Sequence, residues 1–308
     1  MSDADEPTRY RRMQDLPSTH LLGSGTSLCA GCGGLGAFRE LYEVLGERTV
    51  VVNAAGCMSL LATHPFTPFR GSWLYSAMAS APAGAQGVRD ALDILIAKRR
   101  IPADEDLDVV VLTGDGAASG MGLSATSAAI DRGLDFIYLC YDNEGYGNTG
   151  QQSSASTPHG ARTATDRGPR GYPGVKKDLF ALWVANRPAY AATIIAAEPV
   201  DLARKVEKAK RMKGPRLLLA LAPCPPGWGF DPKDSIEIGR LAVRTGVWPL
   251  LEYADGRVVR TKHYEPRLPV ERYLERQRRF AHLFEPRRDE QTLAAIQTAV
   301  DEACARVT

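Results

Sequence analysis

Short apolar segments alternate along this chain with segments of helical periodicity, and this alternation constrains the fold more than any other feature. Residues 49–54 read TVVVNA and residues 107–113 read LDVVVLT. Such continuous apolar runs are typical of strands that are buried on both faces. Further strands are expected at 135–141, 190–196 and 215–222, and helices at 34–46, 81–99, 120–132, 176–185 and 200–212. The alternation predicts an α/β fold with a doubly wound, mostly parallel sheet between layers of helices.

The pattern divides the chain into three parts. Residues 1–22 are expected to form an N-terminal arm, residues 23–245 the α/β domain, and residues 246–308 a helical and extended C-terminal extension that contacts another subunit. Ten lysines and arginines lie within 257–288, interleaved with aromatic and glutamate side chains. Because acidic and basic residues are mixed there, we favour a solvated docking segment over a nucleic-acid-binding surface.

Charge and hydropathy exclude several classes of protein. The 308 residues include 38 Lys or Arg and 36 Asp or Glu, and the formal net charge of +2 creates no broad field for nucleic acid or a membrane surface. No apolar run approaches the ~18–20 residues of a membrane-spanning helix. The N-terminal sequence MSDADEPTRYRRMQDLP is polar, unlike a signal peptide. We therefore expect a cytoplasmic protein whose cysteines stay reduced.

The most informative polar motif comes directly after the apolar run at 107–113. Gly114-Asp115-Gly116 follows that strand, and Asn143 follows the next strand in the stretch DNEGYGNTG. Ligands of open parallel sheets bind at the carboxyl ends of strands, so both segments are placed for binding. A carboxylate and an amide oxygen are ligands that suit Mg²⁺, and the glycines let the backbone approach a diphosphate. Two ordinary turns are the alternative, but the paired motifs favour a site for Mg²⁺ and a diphosphate.

The cysteine spacing indicates a second site. Four cysteines lie beside small residues or prolines, the first two as a C-x-x-C pair: Cys29, Cys32, Cys57 and Cys224. They could hold a structural zinc ion or an iron–sulfur cluster, or some could be buried thiols without a ligand. The remaining two show no such pattern, and Cys140, inside a predicted strand, is expected in the core, while Cys304 lies near the C-terminus.

Taken together, these motifs resemble the β subunit of the 2-oxoacid:ferredoxin oxidoreductase family, of the pyruvate synthase type. The matching segments follow the family's order and cover most of residues 23–255. They are LCAGCG (28–33), VVNAAGC (51–57), LTGDG (112–116), YDNEGYGNTGQQSSASTPHGA (141–161), Lys176-Lys177-Asp178, LAPCPPGW (221–228) and LAVRTGVWPLLEY (241–253). The resemblance implies the fold that binds thiamine diphosphate in those enzymes.

The resemblance also implies roles for individual residues. The four cysteines would ligate one 4Fe–4S cluster close to thiamine diphosphate. The Mg²⁺ ligands would be the side chains of Asp115 and Asn143 and the carbonyl of Gly145. Gly56, Gly114, Gly116 and Asn148 would also contact the thiamine cofactor, and the catalytic candidates beside the reacting centre are Met58, Ser59, Asn148 and Thr149.

The activity that the resemblance implies is oxidative decarboxylation of a 2-oxo acid to acyl-CoA and CO₂, with coenzyme A as co-substrate and electrons leaving through the cluster. An α subunit is expected to supply the glutamate that activates the thiamine cofactor, because one doubly wound unit occupies residues 23–245. The other expected partners are γ and ferredoxin-like δ subunits or an external ferredoxin, with an NAD-linked subunit as an alternative. The isolated chain would then be an inactive catalytic subunit.

Two departures from the family pattern concern the substrate. Pyruvate enzymes of the family carry an acidic residue where this chain has Ser59, and a Glu-Asn pair where it has Ala79 and Ser80. Smaller, uncharged side chains favour a roomier pocket, which would admit pyruvate or a bulkier 2-oxo acid such as an aryl one. The alternative function is that of a non-redox, thiamine-dependent decarboxylase or ligase subunit with a structural zinc ion at the four cysteines.

Overall fold

The core of this protein is one mixed sheet. The computed structural model describes residues 8–306. The strands in that region are β1 (Thr49–Ala54), β2 (Ser72–Ser76), β3 (Asp108–Gly114), β4 (Phe136–Asp142), β5 (Tyr190–Ile195), β6 (Pro215–Leu221), β7 (Leu251–Ala254) and β8 (Arg257–Arg260). They form an 8-stranded sheet in the order β2-β1-β3-β4-β6-β5-β7-β8. Strands β1 to β6 pair in parallel, whereas β7 pairs antiparallel with β5 and β8 antiparallel with β7.

Helices lie on both faces of the sheet. The α-helices of the described region are α1 (Gly33–Leu45), α2 (Ala81–Ala97), α3 (Leu123–Asp131), α4 (Leu179–Ala185), α5 (Pro199–Arg211), α6 (Ser235–Thr245), α7 (Glu271–Leu274) and α8 (Glu290–Ala305). Alternate residues of β3 point into two separate cores: Val109 and Val111 pack with α2, and Val110 and Leu112 pack with α1 and α5. No helix within residues 8–306 combines the length and the apolar character needed to cross a membrane. The structure confirms the predicted doubly wound, mostly parallel α/β fold.

The buried strands lie close to their predicted positions. The apolar run at 107–113 forms β3 at Asp108–Gly114, and the run at 135–141 forms β4 at Phe136–Asp142. The edge strand β2 was not predicted, because most of its side chains are exposed and its sequence SWLYS is short. A π-helical turn at Ala117–Met121 precedes α3, so the helix expected at 120–132 begins at Leu123.

The C-terminal segment packs onto the sheet. Strands β7 and β8 extend the sheet past residue 245, and Tyr273, Phe280 and Leu283 are buried in the same core as the central strands. At the other end of the chain, Arg204 Nε on α5 donates a hydrogen bond of 2.6 Å to the backbone oxygen of Tyr10. Residues 1–7 of the predicted arm and residues 307–308 lie outside the described part, and the docking role of 246–308 stays a prediction.

Candidate functional site

Asp115 and Asn143 lie side by side at the carboxyl edge of the sheet. Strands β3 and β4 pair in parallel as far as Gly114 opposite Tyr141, so the two polar residues leave the sheet together. Both are buried. The side-chain amide of Asn143 reaches Gly145 O at 2.7 Å and Asp115 Oδ1 at 2.9 Å when its nitrogen is the donor. The structure thus brings the predicted carboxylate, amide and carbonyl groups to one point.

Two buried serines fix the orientation of Asp115. Ser154 Oγ donates a short hydrogen bond to Asp115 Oδ2, and Ser119 Oγ donates one of 2.6 Å to the Asp115 backbone oxygen. Burial, and after it the charge of Asp142, raises the pKa of Asp115 well above its usual value, while the bond from Ser154 opposes that rise. A nearby cation favours the ionised form of a carboxyl group. The buried carboxyl group of Asp115 is therefore suited to binding a cation.

Two more carboxylates flank Asn143 and share one lysine. Lys176 Nζ lies 2.7 Å from Asp142 Oδ2 and 2.7 Å from Glu144 Oε1. Burial would lower the pKa of Lys176, but the two carboxylates hold it above its usual value. Burial would also raise the pKa of Glu144, but Lys176 and Arg279 together hold it below its usual value. The residues next to Asn143 therefore carry paired charges inside the protein.

Other segments hold the backbone of the loop after β4. Glu144 has a φ of 61°, in the left-handed region that non-glycine residues rarely occupy. Its carbonyl accepts a hydrogen bond of 2.9 Å from Thr157 Oγ1. The neighbouring carbonyl of Asn143 accepts one of 2.8 Å from Trp228 Nε1. These contacts offset the cost of the strained residue and fix the position of the loop.

The four cysteines of the predicted cluster come from three segments. Cys29 is exposed, and Cys32 is the N-cap residue of α1, where its thiol accepts a hydrogen bond of 3.4 Å from a backbone amide. Cys57 begins a turn after β1, and Cys224 follows β6. Burial raises the pKa of Cys57 to about 12 and that of Cys224 to about 11, and the other thiols add to both shifts. The thiols are therefore near enough to one another to affect each other's pKa values.

The other thiols lie elsewhere. Cys140 is fully buried in β4, as predicted, and Cys304 on α8 lies 3.6 Å from the carbonyl oxygen of Gly246, to which its thiol donates. Across residues 8–306, no group of three or more His, Cys, Asp or Glu side chains is arranged to hold a single metal ion.

Tyr141 fills the space between the cysteine segments and the loop after β4. A Cβ atom at Gly56 would lie 2.6 Å from the Tyr141 hydroxyl oxygen, and one at Gly34 or Gly114 would lie 3.3 Å from another Tyr141 side-chain atom. Gly56 and Gly114 belong to two different predicted motifs, and Gly34 directly follows the LCAGCG motif at 28–33. Their small size lets the backbone pack directly against this buried ring.

Gly147 lies where the two candidate sites meet. A Cβ atom there would lie 2.6 Å from the side-chain amide of Asn143 and 3.5 Å from Cys57 Sγ. The charge of Asp115 is also among the causes of the raised pKa of Cys57. The cysteine group and the convergent oxygen ligands are therefore neighbours in space.

The four predicted catalytic residues lie in two settings. Met58 is buried, and Ser59 Oγ donates a hydrogen bond of 3.2 Å to Asn53 Oδ1. Asn148 and Thr149 are exposed at the surface of this chain. Their catalytic roles stay predictions.

The sequence reasoning missed the groups that support these residues. Asp142 and Glu144 directly flank Asn143, and that position in the motif could have marked them as supporting residues. Trp228 lies in the segment LAPCPPGW, which was read for its cysteine alone. The local sequence does not mark Arg279 as a site residue, since it lies among other basic residues. The tertiary fold brings it to Glu144.

Comparison with known proteins identifies the domain. The family model for the C-terminal, thiamine-pyrophosphate-binding domain of thiamine pyrophosphate enzymes matches residues 54–220. A solved 2-oxoglutarate:ferredoxin oxidoreductase from Magnetococcus marinus, with 2-oxoglutarate, coenzyme A and succinyl-CoA bound, shares the fold. Its TM-score is 0.56 at 22% identity, and the match covers 68% of each chain.

Curated relatives match nearly the whole chain. Pyruvate synthase subunit PorB of Methanocaldococcus jannaschii is 38% identical, over 95% of this chain and 98% of the relative. PorB of Methanothermobacter thermautotrophicus is 42% identical, over 94% and 98%. Ketoisovalerate oxidoreductase subunit VorB of Pyrococcus horikoshii is 35% identical, over 90% of each. Identity at this level over almost full length shows that the chain belongs to the β subunits of the 2-oxoacid:ferredoxin oxidoreductase family.

Proposed function

We propose that this chain holds thiamine diphosphate through Mg²⁺, carries one 4Fe–4S cluster, and serves oxidative decarboxylation of a 2-oxo acid to acyl-CoA and CO₂. The observation that carries the proposal is the convergence of Asp115, Asn143 and Gly145 near Cys57, with Gly147 lying beside both Asn143 and Cys57. A site for a diphosphate-bound cation and a site for an electron acceptor would then share a wall.

The three convergent groups suit Mg²⁺ as ligands. If the Asn143 amide turns its oxygen inward, that oxygen lies 2.7 Å from Gly145 O and 2.9 Å from Asp115 Oδ1. An octahedral ion with metal–oxygen distances of ~2.1 Å places adjacent ligand oxygens ~3.0 Å apart. Ser154 engages the second Asp115 oxygen, which leaves the first one for the cation. The remaining positions of the octahedron would take diphosphate and water oxygens.

The backbone next to Asp115 is suited to a diphosphate. Gly114 and Gly116 flank the carboxylate, and a Cβ atom at Gly116 would lie 2.1 Å from the ring of Tyr146. Because no side chain fits at Gly116, the main chain itself borders this part of the site. The contacts of Gly114, Gly116 and Gly56 with the cofactor are part of this proposal.

The four thiols suit a cluster with four cysteine ligands, which is the usual ligand set of 4Fe–4S centres. The bound thiamine cofactor would supply the reactive carbon and the cluster would supply the electron acceptor. The protein's part is then to position them. The Tyr141 ring fills the wall between the two sites, and Asp115 and Asn143 orient the diphosphate end.

The substrate would be pyruvate or a bulkier 2-oxo acid. Position 59 carries an uncharged serine, and its hydroxyl is hydrogen-bonded to Asn53. This differs from the acidic residue that the family resemblance leads us to expect there in pyruvate enzymes. The relatives named above act, by name, on pyruvate and on ketoisovalerate, a branched 2-oxo acid. The exposed Asn148 and Thr149 would contact the substrate or the partner subunit that completes the site.

The chain would work in a heteromeric complex. An α subunit would bring the activating glutamate and further substrate contacts, and the C-terminal segment 246–308 would take part in docking. Electrons would continue to γ and ferredoxin-like δ subunits, to an external ferredoxin, or through an NAD-linked subunit. The isolated chain is expected to show no turnover, because it holds one half of the thiamine site.

The test uses the complex purified anaerobically with its partners. Iron, acid-labile sulfide, zinc and thiamine are measured per chain, and absorbance near 400 nm is followed with a panel of 2-oxo acids plus coenzyme A. We expect iron, sulfide and thiamine together, with bleaching by one of the 2-oxo acids. Zinc with thiamine would support the non-redox decarboxylase or ligase instead. Iron without thiamine would refute the assignment of Asp115 and Asn143.

A further inference from the structure

A buried arginine from the C-terminal segment reaches into the candidate site. Arg279 is 5% exposed and lies on a short 3₁₀ helix, Arg278–Leu283. Its Nη2 lies 2.5 Å from Glu144 Oε2, and its Nε donates a hydrogen bond of 2.9 Å to Gln277 Oε1. Glu144 is equally buried, so this pair is shielded from solvent.

The same guanidinium contacts the loop that carries Cys224. Its central carbon lies 3.9 Å from the ring centroid of Trp228, a cation–π contact. The amide N–H of Trp228 donates to Cys224 O at 2.8 Å, and its indole N–H donates to Asn143 O at 2.8 Å. Arg279 therefore supports Asn143 from two sides, through Trp228 and through the adjacent Glu144.

The backbone of Arg279 holds a third segment. Its carbonyl accepts a hydrogen bond of 2.9 Å from the amide of Arg162, in the long loop between β4 and α4. That loop also supplies Ser154, which binds Asp115, and Thr157, which binds the Glu144 carbonyl. Arg279 is thus linked to segments that bind Asp115 and Asn143, while the hydrogen bonds of its own side chain go to Gln277 and Glu144.

We infer that Arg279 is a positioning residue for the proposed Mg²⁺–diphosphate site, acting through Glu144 and Trp228 on Asn143. The inference rests on the proposed function, because it presumes that Asp115 and Asn143 bind the cation. Groups that orient metal ligands from behind commonly change metal affinity by about 10–100-fold when they are removed. Without Arg279, Glu144 keeps only Lys176 as an ion-pair partner, and Trp228 loses its cation–π contact. Neither residue then fixes the carbonyl and side chain of Asn143.

The test compares variants of the complex purified with its partner subunits. Arg279→Met removes both the charge and the planar set of guanidinium N–H donors. Arg279→Lys keeps the charge but lacks that set of donors. Arg276→Met is the matched control, since Arg276 lies in the same segment, is about half exposed, and approaches Asp234 only at 3.8 Å. Thiamine diphosphate binding is titrated against Mg²⁺ concentration in cofactor-depleted complex, and kcat is measured separately at saturating Mg²⁺ and cofactor.

We expect Arg279→Met to raise the half-saturating Mg²⁺ concentration about tenfold or more and Arg279→Lys to raise it less. At saturation, kcat should recover to within about threefold of the wild-type value. Glu144→Gln should shift the Mg²⁺ dependence in the same direction, and adding it to Arg279→Met should cost little more, because the two residues act as one unit. Arg276→Met should leave the titration unchanged.

Two failures are distinguishable. If the wild-type complex binds no thiamine diphosphate in a Mg²⁺-dependent way, the proposed function itself is wrong. If the wild type binds it and both Arg279 variants show the wild-type Mg²⁺ dependence, only the positioning role is wrong. Should Arg279→Met fail to assemble, the lysine variant decides, since an unchanged titration there overturns the inference and a shifted one supports it.

Discussion

The two candidate sites are built in opposite ways. Around Asn143, the carboxylates of Asp142 and Glu144 are buried and paired with Lys176 and Arg279. At the cysteine site, burial and the thiols themselves dominate, and the charge of Arg279 opposes the rise in the pKa of Cys224. The first thiol of that site, Cys29, is exposed, and burial together with mutual repulsion raises the pKa of the others.

This difference shows where each site obtains its order. The protein's own ion pairs hold the loop after β4 in one arrangement, so the oxygen ligands are positioned in advance. The cysteines converge from separate segments, and a shared ligand would join those segments. We therefore expect the first site to depend on single supporting residues and the second to depend on its prosthetic group.

The largest expected effect is that of Asp115→Asn. The change removes the one ligand charge at the convergent point while it keeps the size of the side chain. We expect Mg²⁺-dependent thiamine diphosphate binding to weaken about 100-fold or more, because a direct ligand matters at least as much as its supports. Iron content should stay at the wild-type level. The matched control is Asp90→Asn on the exposed side of α2, and a loss of iron in Asp115→Asn would contradict the separation of the two sites.

Cys29→Ala tests the other site. Because Cys29 is exposed, its replacement disturbs the fold little, yet we expect iron to fall well below the about four atoms per chain of an intact cluster. Thiamine diphosphate binding should change by less than about threefold. Cys140→Ala is the control: it should lower the melting temperature by opening a cavity in β4 but retain iron. Equal iron in both variants would exclude Cys29 as a ligand.

Gly147→Ala probes the boundary between the sites. A methyl group there would lie 2.6 Å from the Asn143 amide and in van der Waals range of Cys57 Sγ. We expect about tenfold weaker Mg²⁺-dependent cofactor binding together with an altered EPR spectrum of the reduced cluster. Gly87→Ala, at an open helical position, is the control. A change in one measurement without the other would show that the two sites are not in contact at this residue.

The smallest expected effect on the two sites concerns the side chain of Glu40 on α1, the helix that Cys32 caps. Glu40 Oε2 is buried and finds no hydrogen-bond partner among residues 8–306, and burial, with Glu43 nearby, raises the pKa of Glu40 to about 8. A carboxyl group with a raised pKa contributes stability that is present below the unfolded value of about 4.5 and is lost as the pH rises to about 8. Glu40→Gln should therefore stabilise the protein at pH 9 by about 1–3 kcal/mol.

The same substitution should have its smallest effect near pH 4.5, where the wild-type side chain is protonated in the folded state and about half protonated in the unfolded state. Thermal unfolding from pH 4.5 to 9 measures the difference, and Glu105→Gln, at an exposed position away from α1, serves as the control. Glu144 is expected to behave in the opposite sense, since its lowered pKa makes its ionised form stabilising and that stability is lost as the pH falls below its usual value. A pH-independent effect of Glu40→Gln would show that the carboxylate is ionised without cost.

Sequence reasoning predicted the parts of this molecule that depend on local pattern. Strand β4 lies within one residue of its predicted start because a strand buried on both faces must be continuously apolar. The neighbouring positions of Asp115 and Asn143 followed from the common edge of two parallel strands. By contrast, β2 was not predicted, because an exposed edge strand lacks a continuous apolar run.

The supporting contacts could not be predicted in the same way. The pair of Glu144 and Arg279 joins residues 135 positions apart in the chain. Nothing in the local sequence separates Arg279 from the basic residues around it, which lie at the surface. A long-range ion pair is specified by the packed fold. A single sequence contains both residues but does not indicate that they pair.

The packing around Tyr141 has a consequence for how such a chain can change over time. Gly34, Gly56 and Gly114 each lie against Tyr141, and a Cβ atom would lie 2.6 Å from this side chain at Gly56 and 3.3 Å from it at the other two positions. Loss of the Tyr141 hydroxyl would remove the close contact at Gly56, whereas a Cβ atom at Gly34 would still lie 2.8 Å from Met58 Cε. Substitutions at Gly56 and Tyr141 are therefore coupled, because the residue tolerated at position 56 depends on the side chain at position 141, whereas Gly34 has a second neighbour that constrains it.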